Sequence, residues 1–202
     1  MKKLSNLLLV VLIIVVASCK GKNSADNKEN PAENITTNDS ADIRNAILDF
    51  YSWYSKNYKK LMQYDLYSGI KKEDEPPYKI NWDEVKKYQD FIRDNVPQLG
   101  EDFLANQQVL FKRCDSAFKV DVEDDIPYYF DFDWYTNTQE DPQYMLDEIK
   151  KSKLWNISVD GDNAKVNIKG YDNNGEQPAI TVIDIELKKE NNTWKIAKIG
   201  SE

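Results

Sequence analysis

Apolar side chains recur at two periods along this chain, and the change from one to the other divides it. Ile43, Ile47, Phe50, Tyr54, Tyr58 and Leu61 lie three and four residues apart, which places them on one stripe of a helix begun by Asp39 or Ser40. Asn81-Trp82-Asp83-Glu84 has the form of a capping box, and Val85, Tyr88, Phe91 and Ile92 carry a second helix until Pro97 and Gly100 end it. A third helix, Asp102 to Phe118, directs Phe103, Leu104, Leu110, Phe111, Cys114 and Phe118 inward. The charged stretch Lys71 to Pro77 between the first two reads as an exposed loop. Asp141 ahead of Pro142 is a ready helix N-cap.

From Leu154 onward the period is two. Trp155, Ile157 and Val159 alternate with polar residues, Asp160-Gly161-Asp162-Asn163 turns the chain, and Ala164, Val166 and Ile168 resume the alternation. Asp172-Asn173-Asn174-Gly175 makes a second turn into a strand from Ala179 to Lys189, and Glu190-Asn191-Asn192 leads to a last strand from Thr193 to Ile199. Helices first and an antiparallel meander afterwards predict an α+β fold, with N-terminal helices packed on a curved C-terminal antiparallel sheet. Residues 40–202, about 160 of them, suit a single domain with a real core.

The N-terminus has a different character. Lys2 and Lys3 precede an unbroken apolar run from Leu7 to Val16, and Val16-Ala17-Ser18-Cys19 supplies small residues before a cysteine. The run is about ten residues, half of what spans a bilayer, so it reads as a signal peptide over residues 1–18. Its end resembles a bacterial lipobox. That resemblance implies cleavage before Cys19, lipidation of the Cys19 sulfur, and attachment to a membrane through the acyl chains, each buried methylene contributing about 0.8 kcal/mol. Lys20 stands where an Asp would favour inner-membrane retention, and no acidic cluster follows the cysteine. The expected location is the outer membrane with the domain in the periplasm. Residues 20–39 are mostly Asn, Asp, Lys, Glu, Ser and Thr, with a single Pro31 and only Ile35 as a sizeable apolar side chain, the composition of a solvated tether.

Composition then narrows the chemistry. The net charge is −8, and removal of Lys2 and Lys3 with the leader makes the chain more acidic still, which argues against nucleic acid as a partner. There is no histidine, so Ser-His-Asp and Cys-His catalysis and the usual zinc and iron sites are excluded. With Cys19 lipidated, Cys114 has no partner for an intramolecular disulfide, and its place on an apolar helical stripe reads as a buried, inert thiol.

The densest candidate chemistry is Asp121 to Asp141. Asp121, Glu123, Asp124 and Asp125 are followed by Tyr128-Tyr129-Phe130-Asp131-Phe132-Asp133-Trp134-Tyr135. Asp131 and Asp133 would share a face of an extended segment, and Asn137, Gln139 and Asp141 could add oxygens for a hard cation. The Gly-turned spacing of a calcium loop is absent, so neither metal nor cofactor is expected. Tyr and Trp combine an apolar body with a polar tip, as binding surfaces require. Asp131, Asp133, Trp134, Tyr135 and Gln139, with Tyr54 and Tyr58 from the first helix, are the candidate ligand- or partner-binding residues.

The lipobox, the Phe50-Tyr51-x-Trp53-Tyr54 run, the Asp131-x-Asp133-Trp134-Tyr135 segment and the closing Trp194-Lys195-Ile196-x-x-Ile199 together resemble the bacterial lipoproteins of domain of unknown function 3828. The resemblance covers about residues 41–200 and implies the cone-shaped nuclear transport factor 2-like (cystatin-like) fold. It implies no reaction, because that fold hosts enzymes, carriers and binding modules alike. Three readings follow: a noncatalytic binding module offering an aromatic, acidic cleft to a protein or small ligand, in one form an immunity-type protein; a small-molecule carrier; and a hydrolase or isomerase built on carboxylates and tyrosines.

Overall fold

A computed structural model describes residues 37–68, 75–120, 128–170 and 180–200. Residues 1–36, with the expected leader, Cys19 and most of the expected tether, lie outside the described residues. So do positions 71–74 of the charged loop, the acids Asp121 to Asp125 and the turn at Asp172 to Gly175.

Four helices precede the sheet: α1 (Thr37–Leu61), α2 (Trp82–Asn95), α3 (Glu101–Phe118) and α4 (Pro142–Lys151). The first begins two residues ahead of Asp39, which lies in its first turn. Its Oδ1 accepts a hydrogen bond from Trp194 Nε1 at 3.0 Å and pairs with Lys189 Nζ at 2.7 Å, tying the first turn of the helix to the far end of the chain. The stripe of α1 buries Ile43, Ile47, Phe50, Tyr54 and Leu61, together with Tyr51, while Tyr58 is half-buried. In α2, Asn81 caps as its sequence predicts, its side chain accepting from Glu84 N, and Val85, Tyr88 and Ile92 point inward.

Gly100 opens α3 without a side chain to cap it, and the cap comes from elsewhere. Glu190 Oε1 accepts from Glu101 N at 2.9 Å, a carboxylate at the positive end of the helix dipole. The fourth helix extends what the sequence showed only as a cap. Asp141 Oδ1 accepts from Gln143 N at 2.8 Å, Pro142 occupies the first turn, and Met145, Leu146 and Ile149 are buried.

The sheet is an antiparallel meander in the order β1 (Leu154–Asp160), β2 (Asn163–Gly170), β3 (Ile180–Glu190), β4 (Thr193–Ile199). Asn191 and Asn192 both take positive φ, 51° and 61°, the pairing that lets a two-residue hairpin follow the strand twist. Register irregularities at Ile168/Lys169 and Glu186/Leu187 bend the sheet. Ala164, Val166, Ile168, Ile183, Ile185, Leu187, Trp194 and Ile196 are buried. Against them pack α4 on β2 and β3, and α1 and α3 on β4. At the edge, β1 leaves Trp155, Ile157 and Val159 only half covered, the Arg44 guanidinium lying 4.6 Å from the Trp155 ring centre. The α+β expectation therefore holds, with four helices followed by an open four-stranded antiparallel sheet on which α1, α3 and α4 pack.

Candidate functional site

The segment joining α3 to α4 is built around Asp133. Its backbone N–H donates to Thr138 O at 2.9 Å, and its carbonyl accepts from Asn137 N at 2.7 Å. Its side-chain Oδ1 accepts from Tyr135 N at 2.8 Å, the local bond by which an aspartate folds the next two residues into a turn. Asn137 completes the reversal at φ 53°, a conformation asparagine tolerates better than most. The turn is pinned from outside as well: Tyr54 donates its hydroxyl hydrogen to Asp133 Oδ2 at 2.6 Å, and Tyr51 to Tyr135 O at 2.7 Å. Both donors come from one turn of α1.

Tyr135 is driven into the core by this turn. It is 3% exposed, its ring lies 4.8 Å from that of Tyr54 and stacks on Phe103 at 5.8 Å, and its hydroxyl meets that of Tyr88 at 2.5 Å. Gln107 Nε2 donates to both of these hydroxyls, at 3.3 and 3.4 Å. Trp134 leaves the turn on the other side. Its Nε1 donates to Tyr129 O at 2.6 Å, and its ring meets Phe111 and Phe130 edge-on at 5.4 and 5.1 Å.

Between the C-terminal half of α1, the segment Met62 to Tyr67 and this loop lies a cleft of about 700 Å³, within the range of small-ligand sites. All seven candidates from the sequence line it: Tyr54, Tyr58, Asp131, Asp133, Trp134, Tyr135 and Gln139. They do not play equal parts. Tyr54 and Tyr135 are almost fully buried and form its floor. Asp131 and Gln139 are exposed at the rim, joined by a bond from Gln139 Nε2 to Asp131 O at 2.9 Å. Tyr64, Tyr67, Phe130 and Phe132 also line the cleft, and nothing in the periodicity marked them. Their signal was density alone, since Tyr58, Tyr64 and Tyr67 fall within ten positions of the end of α1.

The electrostatics follow from burial. Desolvation raises the Asp133 carboxyl above the ordinary aspartate value, and the hydrogen bonds from Tyr54 and Tyr135 only partly oppose it. Desolvation also holds the Tyr54, Tyr88, Tyr51 and Tyr135 phenols well above their usual range, with the Asp133 charge adding to the shift at Tyr54 and Tyr51. These tyrosines are therefore donors at any physiological pH. Around the cleft stand four carboxylates, Asp131, Asp133, Glu140 and Asp141, and no Lys or Arg lines it among the described residues.

The oxygens considered for a cation do not converge. Both Asp133 oxygens accept hydrogen bonds, Asp141 caps α4, and Asn137 lines a different cavity. Among the described residues no group of three or more His, Cys, Asp or Glu side chains is placed to hold a metal ion. Cys114 is fully buried in α3 and its thiol is pushed up to about 12 by desolvation, as an inert core cysteine requires. Leu110, expected inward with the rest of its stripe, is only half-buried and faces that second cavity.

No helix among the described residues is long and apolar enough to cross a membrane. No protein-family model, no curated protein and no solved structure matches this chain.

Proposed function

We propose that this chain is a membrane-anchored envelope lipoprotein whose domain is a noncatalytic binding module, and that the cleft at Asp133 receives a positively charged group. That group belongs to a small organic cation or to a basic side chain of a protein partner. The observation that carries the reading is the composition of the cleft: aromatic walls, four carboxylates and no cation among its described lining residues. A cation over an aromatic face is favoured by about 0.5–2 kcal/mol as it loses water, and the rim carboxylates add attraction of the same sign. The anchor rests on the residues around Cys19, and the finer fold assignment, nuclear transport factor 2-like, rests on helices followed by a bulged antiparallel meander.

Two experiments test these parts separately. Cys19→Ser should move the protein from the membrane to the soluble fraction and abolish palmitate labelling; retention with label intact overturns the anchor. For the cleft, benzyltrimethylammonium and arginine-rich peptides should raise the unfolding midpoint of the full chain, because a ligand bound only by the folded state stabilises it. Asp131→Ala and Tyr58→Ala should reduce the rise and benzoate should give none. Equal shifts by benzoate, or no shift by any cation, overturn the cationic reading.

One observation favours a second reading. Asp133 is a carboxyl with a raised pKa in a cleft, the setting of a general acid. Yet both of its oxygens already accept hydrogen bonds from Tyr54 and Tyr135, which leaves it positioned to hold the loop. Turnover of a hydrolase or isomerase substrate that Asp133→Asn abolishes while the fold persists would reverse this ranking.

A further inference from the structure

A second cavity, of about 590 Å³, lies on the other side of Phe132 and Trp134, which line both. It is built from one stripe of α3, from the end of β4 and from the turn at Asp133. Residues 106, 109, 110 and 113 follow the helical spacing that puts them on one face, and β4 contributes Lys198 and Ile199. Leu110, Phe132, Trp134 and Ile199 supply apolar wall. Tyr129 stands at its edge with φ 65°, an uncommon conformation for a bulky residue. The Trp134 indole holds it there by donating to its carbonyl, and backbone strain of this kind collects at ligand clamps.

The charge of this cavity is opposite to that of the cleft. Arg113 and Lys198 line it, and no carboxylate does among the described residues. Neither cation has an ion-pair partner among the described residues, although the chain carries 35 acids against 27 bases. Basic side chains on neighbouring segments do find acids on α3: Lys188 of β3 pairs with Asp102, and Lys119, just past the helix, with Asp115. Two cations without an ion-pair partner among the described residues, bordering one largely apolar cavity, match an amphipathic anion.

We infer that this cavity binds an amphipathic carboxylate, an aliphatic or aromatic acid whose apolar body lies against Leu110, Phe132 and Trp134. Its carboxylate meets the Arg113 guanidinium and the Lys198 ammonium at the mouth. This site is separate from the cleft and takes a ligand of the opposite sign.

Isothermal titration of the full chain with sodium octanoate tests it, with octyltrimethylammonium as the control of equal tail and opposite charge. Saturable one-to-one uptake of octanoate is expected. Arg113→Gln and Lys198→Gln should each weaken it about tenfold, the scale of one charge-assisted hydrogen bond, and Leu110→Trp should block it by filling the cavity. Asp131→Asn, in the cleft, should leave it unchanged. Circular dichroism separates a filled cavity from a misfolded Leu110→Trp chain, and both charge variants lie at the surface or part-exposed. Absent saturable uptake, or uptake that neither charge variant weakens, overturns the proposal, as does octyltrimethylammonium binding that depends on Leu110 in the same way.

Discussion

The hydroxyl of Tyr54, in α1, donates to Oδ2 of Asp133 at 2.6 Å across 79 positions of sequence. One helix thereby holds the turn that forms both the floor of the cleft and, through Trp134, its wall. Removing the donor leaves a part-buried carboxylate with only its local partners Tyr135 and Thr136, and a hydrogen bond to a charged group contributes about 1.5–3 kcal/mol. Tyr54→Phe should lower the unfolding free energy by about 2 kcal/mol at neutral pH, measured by urea denaturation. In a double-mutant cycle with Asp133→Asn the two losses should fall short of additivity; additive losses would mean that the pair is not coupled.

Asp133 also gives stability a pH dependence of known sign. Its native pKa lies above the ordinary aspartate value, so between the two values the native state holds more protons than the unfolded chain, and stability falls as pH rises. The contribution is fully present below the unfolded pKa and is lost as pH passes through the raised native one. Asp133→Asn removes this term. The stability of the parent relative to Asp133→Asn should accordingly be greatest in acid and shrink toward neutral pH; a difference that grows with pH contradicts the burial argument.

The elements that could be read from the sequence are those whose signal is local. Tyr54 lies four residues after Phe50 on the α1 stripe, Asn81 caps three residues ahead of Glu84, and the strand alternation runs unbroken through Ala164, Val166 and Ile168. Features that depend on distant partners could not be read. Asp39 looked like a cap because its bonds to Trp194 and Lys189 are made 150 or more positions away. α4 showed only its cap, since Met145, Leu146 and Ile149 span too few turns to establish a period. Leu110 was placed inward by its stripe, but the turn at Asp133 stands off from α3 and leaves a cavity there. The aromatic, acidic character of the cleft was visible as composition, whereas its division by Trp134 into two cavities of opposite charge required the turn itself.

Gly100 is required by close approach. A Cβ there would stand 2.4 Å from Glu190 Oε1 and 3.0 Å from Lys195 Cβ. The carboxylate can swing away, but it then releases Glu101 N and uncaps α3. Gly100→Ala should cost about 1–2 kcal/mol, the range of a lost helix cap. Glu190→Gln should cost less, because the amide oxygen can still accept. Thermal unfolding of the three proteins checks the order, and an Ala variant as stable as the parent would show that the trans cap contributes nothing.

Cys114 provides a test of the core that is independent of any ligand. It is fully buried and its thiol is pushed up to about 12, so both access and thiolate population oppose alkylation. In a Cys19→Ser background, which leaves Cys114 as the one thiol of the chain, iodoacetamide should label nothing over hours at pH 8 and should label fully in concentrated urea. The rate in intermediate urea should follow the unfolded population, since reclosing outpaces modification. Rapid labelling without denaturant would mean that α3 opens locally and that the cavity beside Leu110 extends to Cys114.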